Sequence, residues 1–138
     1  MHQNKVPNSA SVDNLKGKHV LIVEDNPFLA DIFTRMVMHW GIRVSTADSG
    51  DEALRIADRL NPDLILLDLC LPDIDGLEVA TQLRRSHKTQ SLPILAISGS
   101  FQSREKCLKN GCNDFLLKPF HAAELLTRIS RLSTSENC

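Results

Sequence analysis

Polar and charged side chains stand at the ends of four apolar runs in this sequence. Asp68 follows the run Leu64–Leu67, and comparable places hold the carboxylates of Glu24 and Asp25, the hydroxyl of Ser98 and the ammonium of Lys118. Three carboxylates in one cleft repel one another unless a proton, a lysine or a cation offsets their charge. Mg²⁺ meets this need, because it takes one or two carboxylates and keeps positions for water and a phosphate oxygen.

A phosphate oxygen bound to such an ion would also explain the ammonium of Lys118 and the hydroxyl of Ser98. Lys118 would supply a positive point charge to a phosphoryl group, and Ser98 would donate a hydrogen bond to one of its oxygens. Each residue taken alone also fits an ordinary loop, turn or cap residue. Their joint placement at four strand ends favours phosphoryl chemistry centred on Asp68.

The apolar runs alternate with segments of helical spacing, which predicts five βα units. The predicted strands are His19–Val23, Arg43–Ala47, Leu64–Leu67, Ile94–Ile97 and Phe115–Leu117. Four of them are apolar without alternation, which favours interior parallel strands covered on both faces, whereas the more polar Arg43–Ala47 fits an edge. Right-handed crossovers then give an α/β, doubly wound parallel sheet with its ligand site beyond the carboxyl ends of the strands.

Length and composition narrow the class of protein. A chain of 138 residues fits one domain with its own core. Residues 1–17 and 133–138 are poor in apolar side chains and are expected to be tails or linkers, which leaves a domain at residues 18–132. The formal net charge of −1 favours neither nucleic acid nor an anionic membrane. Without an apolar run long enough for a span or a secretory signal, we expect a cytoplasmic protein with no membrane insertion.

Four motifs at these spacings resemble one known family. They are VLIVEDN (20–26), LILLDLCLPDIDG (64–76), ISG (97–99) and FLLKPF (115–120). Together they resemble the receiver domain of two-component response regulators, and are similar to the single-domain chemotaxis receiver and to the receivers of hybrid histidine kinases. The resemblance covers residues 18–132 and implies a flavodoxin-like (βα)5 fold with strand order 2-1-3-4-5.

The resemblance also implies roles for the acidic residues. By position, Asp68 is the phosphoacceptor. Glu24 and Asp25 form the acidic pair that holds Mg²⁺, together with Asp68 and the backbone carbonyl of Cys70.

The remaining motif positions imply catalytic and switching roles. Lys118 and Ser98 match the other catalytic residues of the family, and Ser98 also matches its switch hydroxyl. Phe115 matches the aromatic switch residue, and Lys118–Pro119 resembles the cis peptide of the family.

The implied function is a phosphorylation-controlled signalling receiver rather than an enzyme acting on other substrates. It accepts a phosphoryl group from a sensor histidine kinase or a histidine phosphotransfer protein, with Mg²⁺-dependent autophosphorylation, autodephosphorylation and a conformational switch. We expect no direct binding to nucleic acid. The downstream protein target, a phosphorylation-dependent homodimer and the choice between a stand-alone regulator and a hybrid-kinase segment are left open.

Two other functions are compatible with parts of the pattern. One is a constitutive protein-binding module, against which the intact Asp25, Asp68 and Lys118 argue. The other is a Mg²⁺-dependent phosphatase that resembles the haloacid dehalogenase type. Such a phosphatase needs a second Asp two residues after the nucleophile, where this sequence has Cys70.

Overall fold

The computed structural model describes residues 13–133, in which strands and helices alternate. The elements are β1 (His19–Val23), α1 (Pro27–Met38), β2 (Arg43–Ala47), α2 (Gly50–Leu60), β3 (Leu64–Asp68), α3 (Gly76–Arg85), β4 (Ile94–Ser98), α4 (Ser103–Lys109), β5 (Asp114–Leu117) and α5 (Ala122–Ser133). None of these helices is both long and apolar enough to cross a membrane. Of the tails expected at residues 1–17 and 133–138, residues 1–12 and 134–138 lie outside the described residues.

The strands form one parallel sheet in the order β2-β1-β3-β4-β5, which confirms the flavodoxin-like doubly wound fold. The direction in which strands are added to the sheet reverses at β1, because β1 pairs with both β2 and β3. Val23 and Leu67 are register partners near the carboxyl ends of β1 and β3. The residues that directly follow them, Glu24 and Asp68, therefore come to lie side by side.

Side chains of β1 alternate between two hydrophobic cores. Leu21 and Val23 belong to a core shared with α2, α3 and α4, whereas Val20 and Ile22 belong to one shared with α1 and α5. Burial on both faces makes this strand a rigid mount for the residue that follows it.

The two edges of the sheet test the strand predictions further. The polar strand β2 forms one edge, as predicted. The apolar pattern of Phe115–Leu117 favours an interior strand, which is wrong. β5 forms the other edge, as the predicted order 2-1-3-4-5 requires, and Leu117 is 40% exposed. An open five-stranded sheet has two edges. An edge strand that is covered by helices can be as apolar as an interior strand, so the apolar pattern alone does not distinguish them.

Side chains placed directly before two helices determine where those helices begin. Asn26 Oδ1 accepts hydrogen bonds from the amides of Phe28 (2.9 Å) and Leu29 (3.2 Å) at the start of α1. Asp75 Oδ1 accepts one from the Leu77 amide (2.9 Å) at the start of α3. Both caps satisfy amides that lack partners inside the helix, so the turns after β1 and β3 end at defined residues.

Leu15 corrects the predicted boundary of the domain. It lies in the segment expected to be a tail, yet its side chain is completely buried in the core that includes Val37 and Ile42. The Gly17 amide also donates to the Gly41 carbonyl (3.0 Å), which ties the segment to the turn after α1. The boundary at residue 18 thus leaves out part of the core, because the burial of Leu15 and the hydrogen bond from Gly17 together attach this polar segment to the fold.

We therefore expect Leu15→Ala to lower the free energy of unfolding by about 2 to 4 kcal/mol, through lost burial and the cavity left behind. Leu60→Ala is the matched control, since Leu60 is 43% exposed and should cost less than about 1 kcal/mol. Urea unfolding followed by circular dichroism measures both. Equal losses for the two variants would contradict a core role for Leu15.

Candidate functional site

The carboxyl ends of β1 and β3 bring three of the predicted residues together. Glu24, Asp25 and Asp68 each contribute a carboxylate oxygen, and these oxygens lie within 4.8 Å of one another. Glu24 and Asp68 are buried, whereas Asp25 is exposed. The site thus has a buried acidic floor and one carboxylate at its rim.

Lys118 reaches the same cleft from the end of β5. Its Nζ lies 3.5 Å from Asp68 Oδ2 and 3.7 Å from Glu24 Oε1, and the side chain is 28% exposed. The Lys118 amide donates to the Ser98 carbonyl (2.8 Å), and the peptide bond to Pro119 is cis. One ammonium therefore faces both buried carboxylates.

The loop after β3 holds Asp68 through its backbone. The Cys70 amide donates to Asp68 Oδ1 (2.9 Å), and the Leu69 amide donates to the Ile97 carbonyl of β4 (3.0 Å). The Cys70 side chain is exposed. With Oδ1 bound to an amide and Oδ2 facing Lys118, the Asp68 carboxylate is held in one orientation.

Glu24 is held at one oxygen and unsatisfied at the other. The Asn26 amide donates to Glu24 Oε2 (3.2 Å), while Oε1 is buried and accepts no hydrogen bond from the described residues. Burial raises the pKa of Glu24 to about 7, and the neighbouring Asp68 carboxylate acts in the same direction. The Asn26 amide and Lys118 oppose this rise without cancelling it.

This donor set fits a hard divalent cation. Oxygen ligands are what Mg²⁺ prefers, and Glu24 Oε1 is a buried acceptor without a hydrogen-bond donor among the residues described. The three carboxylates also lie close together, and Lys118 pairs with only Glu24 and Asp68 in the contacts described. A cation held by Glu24, Asp25 and Asp68 would relieve this repulsion.

Ser98 and Phe115 do not reach Asp68 in this structure. The Ser98 hydroxyl accepts a hydrogen bond from the Ser100 amide (3.0 Å) and lies 3.5 Å from Ser103 Oγ, so it faces the loop that leads into α4. Phe115 is buried, and its ring meets that of Phe101 edge-on, with centroids 6.4 Å apart. Phe101 itself is 65% exposed.

The fold of this chain is also found in known proteins. A family model for the response regulator receiver domain matches residues 20–130. This chain belongs to the response regulator receiver domain family. Receiver domains of this family are the signalling domains of two-component systems, so the resemblance seen in the sequence is confirmed.

Full-length relatives carry more than a receiver domain. The chain is 36% identical over 115 residues to the DNA-binding dual master transcriptional regulator RpaA of Synechocystis, a match that covers 82% of this chain and 48% of RpaA. It likewise matches the transcriptional regulatory protein CusR of Escherichia coli over 50% of that protein. The chain thus spans about half the length of these relatives.

A solved receiver domain with magnesium matches over nearly its whole length. The receiver domain of the sensor histidine kinase PA1611 from Pseudomonas aeruginosa is 38% identical, with a TM-score of 0.77, over 83% of this chain and 95% of that one. Its structure contains a magnesium ion coordinated in the active-site cleft.

Sequence reasoning assigned no role to two residues around this receiver site. The Asn26 amide orients Glu24 while its side chain caps α1, and the sequence Asn26-Pro27 before a helical pattern is a signal for that cap. Phe101 covers Phe115, a contact between distant positions that no local pattern reveals.

The raised pKa of Glu24 predicts that the metal-free protein loses stability as the pH rises. In the unfolded chain the carboxyl ionises near its ordinary value of 4.5, whereas the folded protein retains the proton up to about 7. Between these values the folded state binds more protons, so stability falls with pH. We expect a loss of about 1 to 3 kcal/mol from pH 5 to pH 8 that Glu24→Gln removes.

Urea unfolding in EDTA at several pH values, for wild type and Glu24→Gln, measures this effect. The difference between the two proteins isolates Glu24 from other titrating groups, including His19, whose pKa is lowered by burial. Since protons compete with a cation for these oxygens, added Mg²⁺ should stabilise the wild type more at pH 8 than at pH 6. The same pH slope in both proteins would be inconsistent with a raised pKa at Glu24.

Proposed function

We propose that this chain is a phosphorylation-controlled receiver in which Asp68 accepts a phosphoryl group from a phosphohistidine. The observation that carries the proposal is the position of Asp68, a buried carboxylate at the end of an interior strand, 3.5 Å from Lys118 and beside two further carboxylates. The magnesium ion in the cleft of the PA1611 receiver supports a metal at the corresponding place here.

The transfer itself needs positioning and charge compensation more than acid–base chemistry. An Asp68 oxygen forms a bond to phosphorus while the bond from phosphorus to the donor histidine nitrogen breaks, and the electron pair stays on that nitrogen. The Cys70 amide and Lys118 hold the attacking carboxylate, and Lys118 also offsets charge on the phosphoryl oxygens. Mg²⁺, held by Glu24, Asp25, Asp68 and the Cys70 carbonyl, would add positive charge at the same oxygens.

The phosphoryl group would then change the packing around α4. A dianion on Asp68 is an acceptor for the Ser98 hydroxyl, which would leave its bond with the Ser100 amide. The space that Ser98 leaves would admit Phe115, and the exposed Phe101 that covers Phe115 would move with it. Signalling therefore runs from the cleft to the surface formed by α4 and β5.

The partners follow from this chemistry. The donor is a sensor histidine kinase or a histidine phosphotransfer protein, and the target recognises the surface that includes Phe101. A homodimer that forms through this surface after phosphorylation is part of the proposal. Binding of nucleic acid by these residues is not, because the formal net charge is −1.

The first test is intact mass after incubation with acetyl phosphate, with and without Mg²⁺. We expect a single phosphoryl adduct that requires Mg²⁺ and is absent from Asp68→Asn. Lys118→Ala should lower the rate about 100-fold, as the loss of one preorganised charge at a reacting oxygen does. Lys109→Ala is the matched control, because Lys109 is exposed and pairs with Glu105 on the same helix.

Each other outcome excludes the proposed chemistry in a defined way. Phosphate released catalytically without an adduct would assign the site to a phosphatase. Neither adduct nor turnover would leave a constitutive binding module. An adduct on Asp68→Asn would place the acceptor elsewhere in the chain.

The switch predicts where amide hydrogen exchange changes on phosphorylation. We expect the largest change in residues 99–117, because Ser98 leaves its local hydrogen bonds and Phe115 and Phe101 repack, with little change in α1. Ser98→Ala should still be phosphorylated, with a smaller change in this segment. Exchange in residues 99–117 that is the same before and after phosphorylation would rule the switch out.

A further inference from the structure

The loop between β3 and α3, residues 69–75, closes tightly over the end of β3. The Gly76 amide donates to the Leu69 carbonyl (3.3 Å), and a Cβ at Gly76 would lie 2.6 Å from Leu69 Cα, so a side chain has no room there. At its start the loop holds the acceptor through the Cys70 amide and Asp68 Oδ1. The orientation of Asp68 therefore depends on where this loop sits.

Asp73 ties the same loop to a different element of the fold. Its Oδ1 accepts a hydrogen bond from the Gly50 amide (2.8 Å), and its Oδ2 accepts one from the Asp51 amide (2.9 Å), both at the start of α2. These amides have no partner inside the helix, and the positive end of the helix dipole favours a carboxylate there. The same hydrogen bonds hold the pKa of Asp73 below its ordinary value.

The start of α2 packs closely against the loop that carries Asp73. A Cβ at Gly50 would lie 2.3 Å from Cγ1 of Ile74, the residue after Asp73, so the start of α2 is pressed against the loop. The helix has a separate cap of its own, because Ser49 Oγ accepts from the Glu52 amide (3.2 Å). Asp73 is therefore one of two caps on α2, and it is the one that comes from the acceptor loop.

We propose that Asp73 is a positioning residue for the phosphorylation of Asp68. By anchoring the middle of the loop on the amides of Gly50 and Asp51, it keeps the Cys70 backbone in place against the acceptor carboxylate. The inference rests on the proposed function, because it concerns the rate of that reaction. Since Asp73 is exposed and touches neither Asp68 nor Lys118 in the contacts described, it acts through the loop alone.

The alternative role is simple stabilisation of α2. Two variants separate the roles, since each removes a cap from the same helix end. Asp73→Asn keeps the size of the side chain, but its amide nitrogen cannot accept a hydrogen bond, so one of the two bonds is lost. Ser49→Ala removes the other cap and leaves the loop anchored.

The experiment measures the rate constant for modification by acetyl phosphate at saturating Mg²⁺, together with urea unfolding, for wild type and both variants. We expect Asp73→Asn to react about tenfold more slowly than wild type, and Ser49→Ala to stay within about twofold, at comparable losses of stability. Hydrogen exchange in residues 69–76 should rise in Asp73→Asn only. Asp73→Ser, which keeps one short acceptor, replaces Asp73→Asn if that variant does not fold.

The outcomes separate this inference from the proposed function. A phosphorylated wild type with Asp73→Asn reacting at the same rate would overturn the positioning role and leave the receiver chemistry standing. Equal slowing of both variants would assign Asp73 to helix stability. A wild type that takes no phosphoryl group would overturn both.

Discussion

Repulsion between buried carboxylates is the constraint on which this structure depends. The parallel register of β1 and β3 places Glu24 and Asp68 side by side, and the low polarity beneath them leaves little water to screen their charges. Lys118 at 3.5 to 3.7 Å offsets part of this repulsion, while burial first and Asp68 second still raise the pKa of Glu24. The site thus favours further positive charge, such as the magnesium ion proposed for it.

The rigidity of the site comes from turns that also start helices. Asn26 caps α1 with its side chain and orients Glu24 with its amide, so helix stability and site geometry depend on one residue. After β3, the Cys70 amide orients Asp68, and Asp75 then caps α3. Carboxylates held by backbone amides in this way are already oriented, so they need no reorganisation when they bind a ligand.

The region around α4 is held less firmly than the acidic cleft. This seven-residue helix has no side-chain cap at its start, and among the residues described the Ser98 hydroxyl bonds only to Ser100 and Ser103. Phe101 lies mostly in solvent while it covers Phe115. A segment with few buried contacts changes its packing at low cost in free energy, so a charge added at Asp68 has a responsive element next to it.

The sequence by itself determined the alternation of strands and helices and the residue types at the strand ends. Apolar periodicity and the turn- and cap-forming residues between the runs are local properties of the chain. It did not reveal that Leu15 joins the core or that Asp73 binds the start of α2. Each of these depends on contacts between distant positions. The raised pKa of Glu24 also depends on the tertiary structure, because burial and the nearby Asp68 cause it. The residues next to Glu24 in the sequence indicate neither of these.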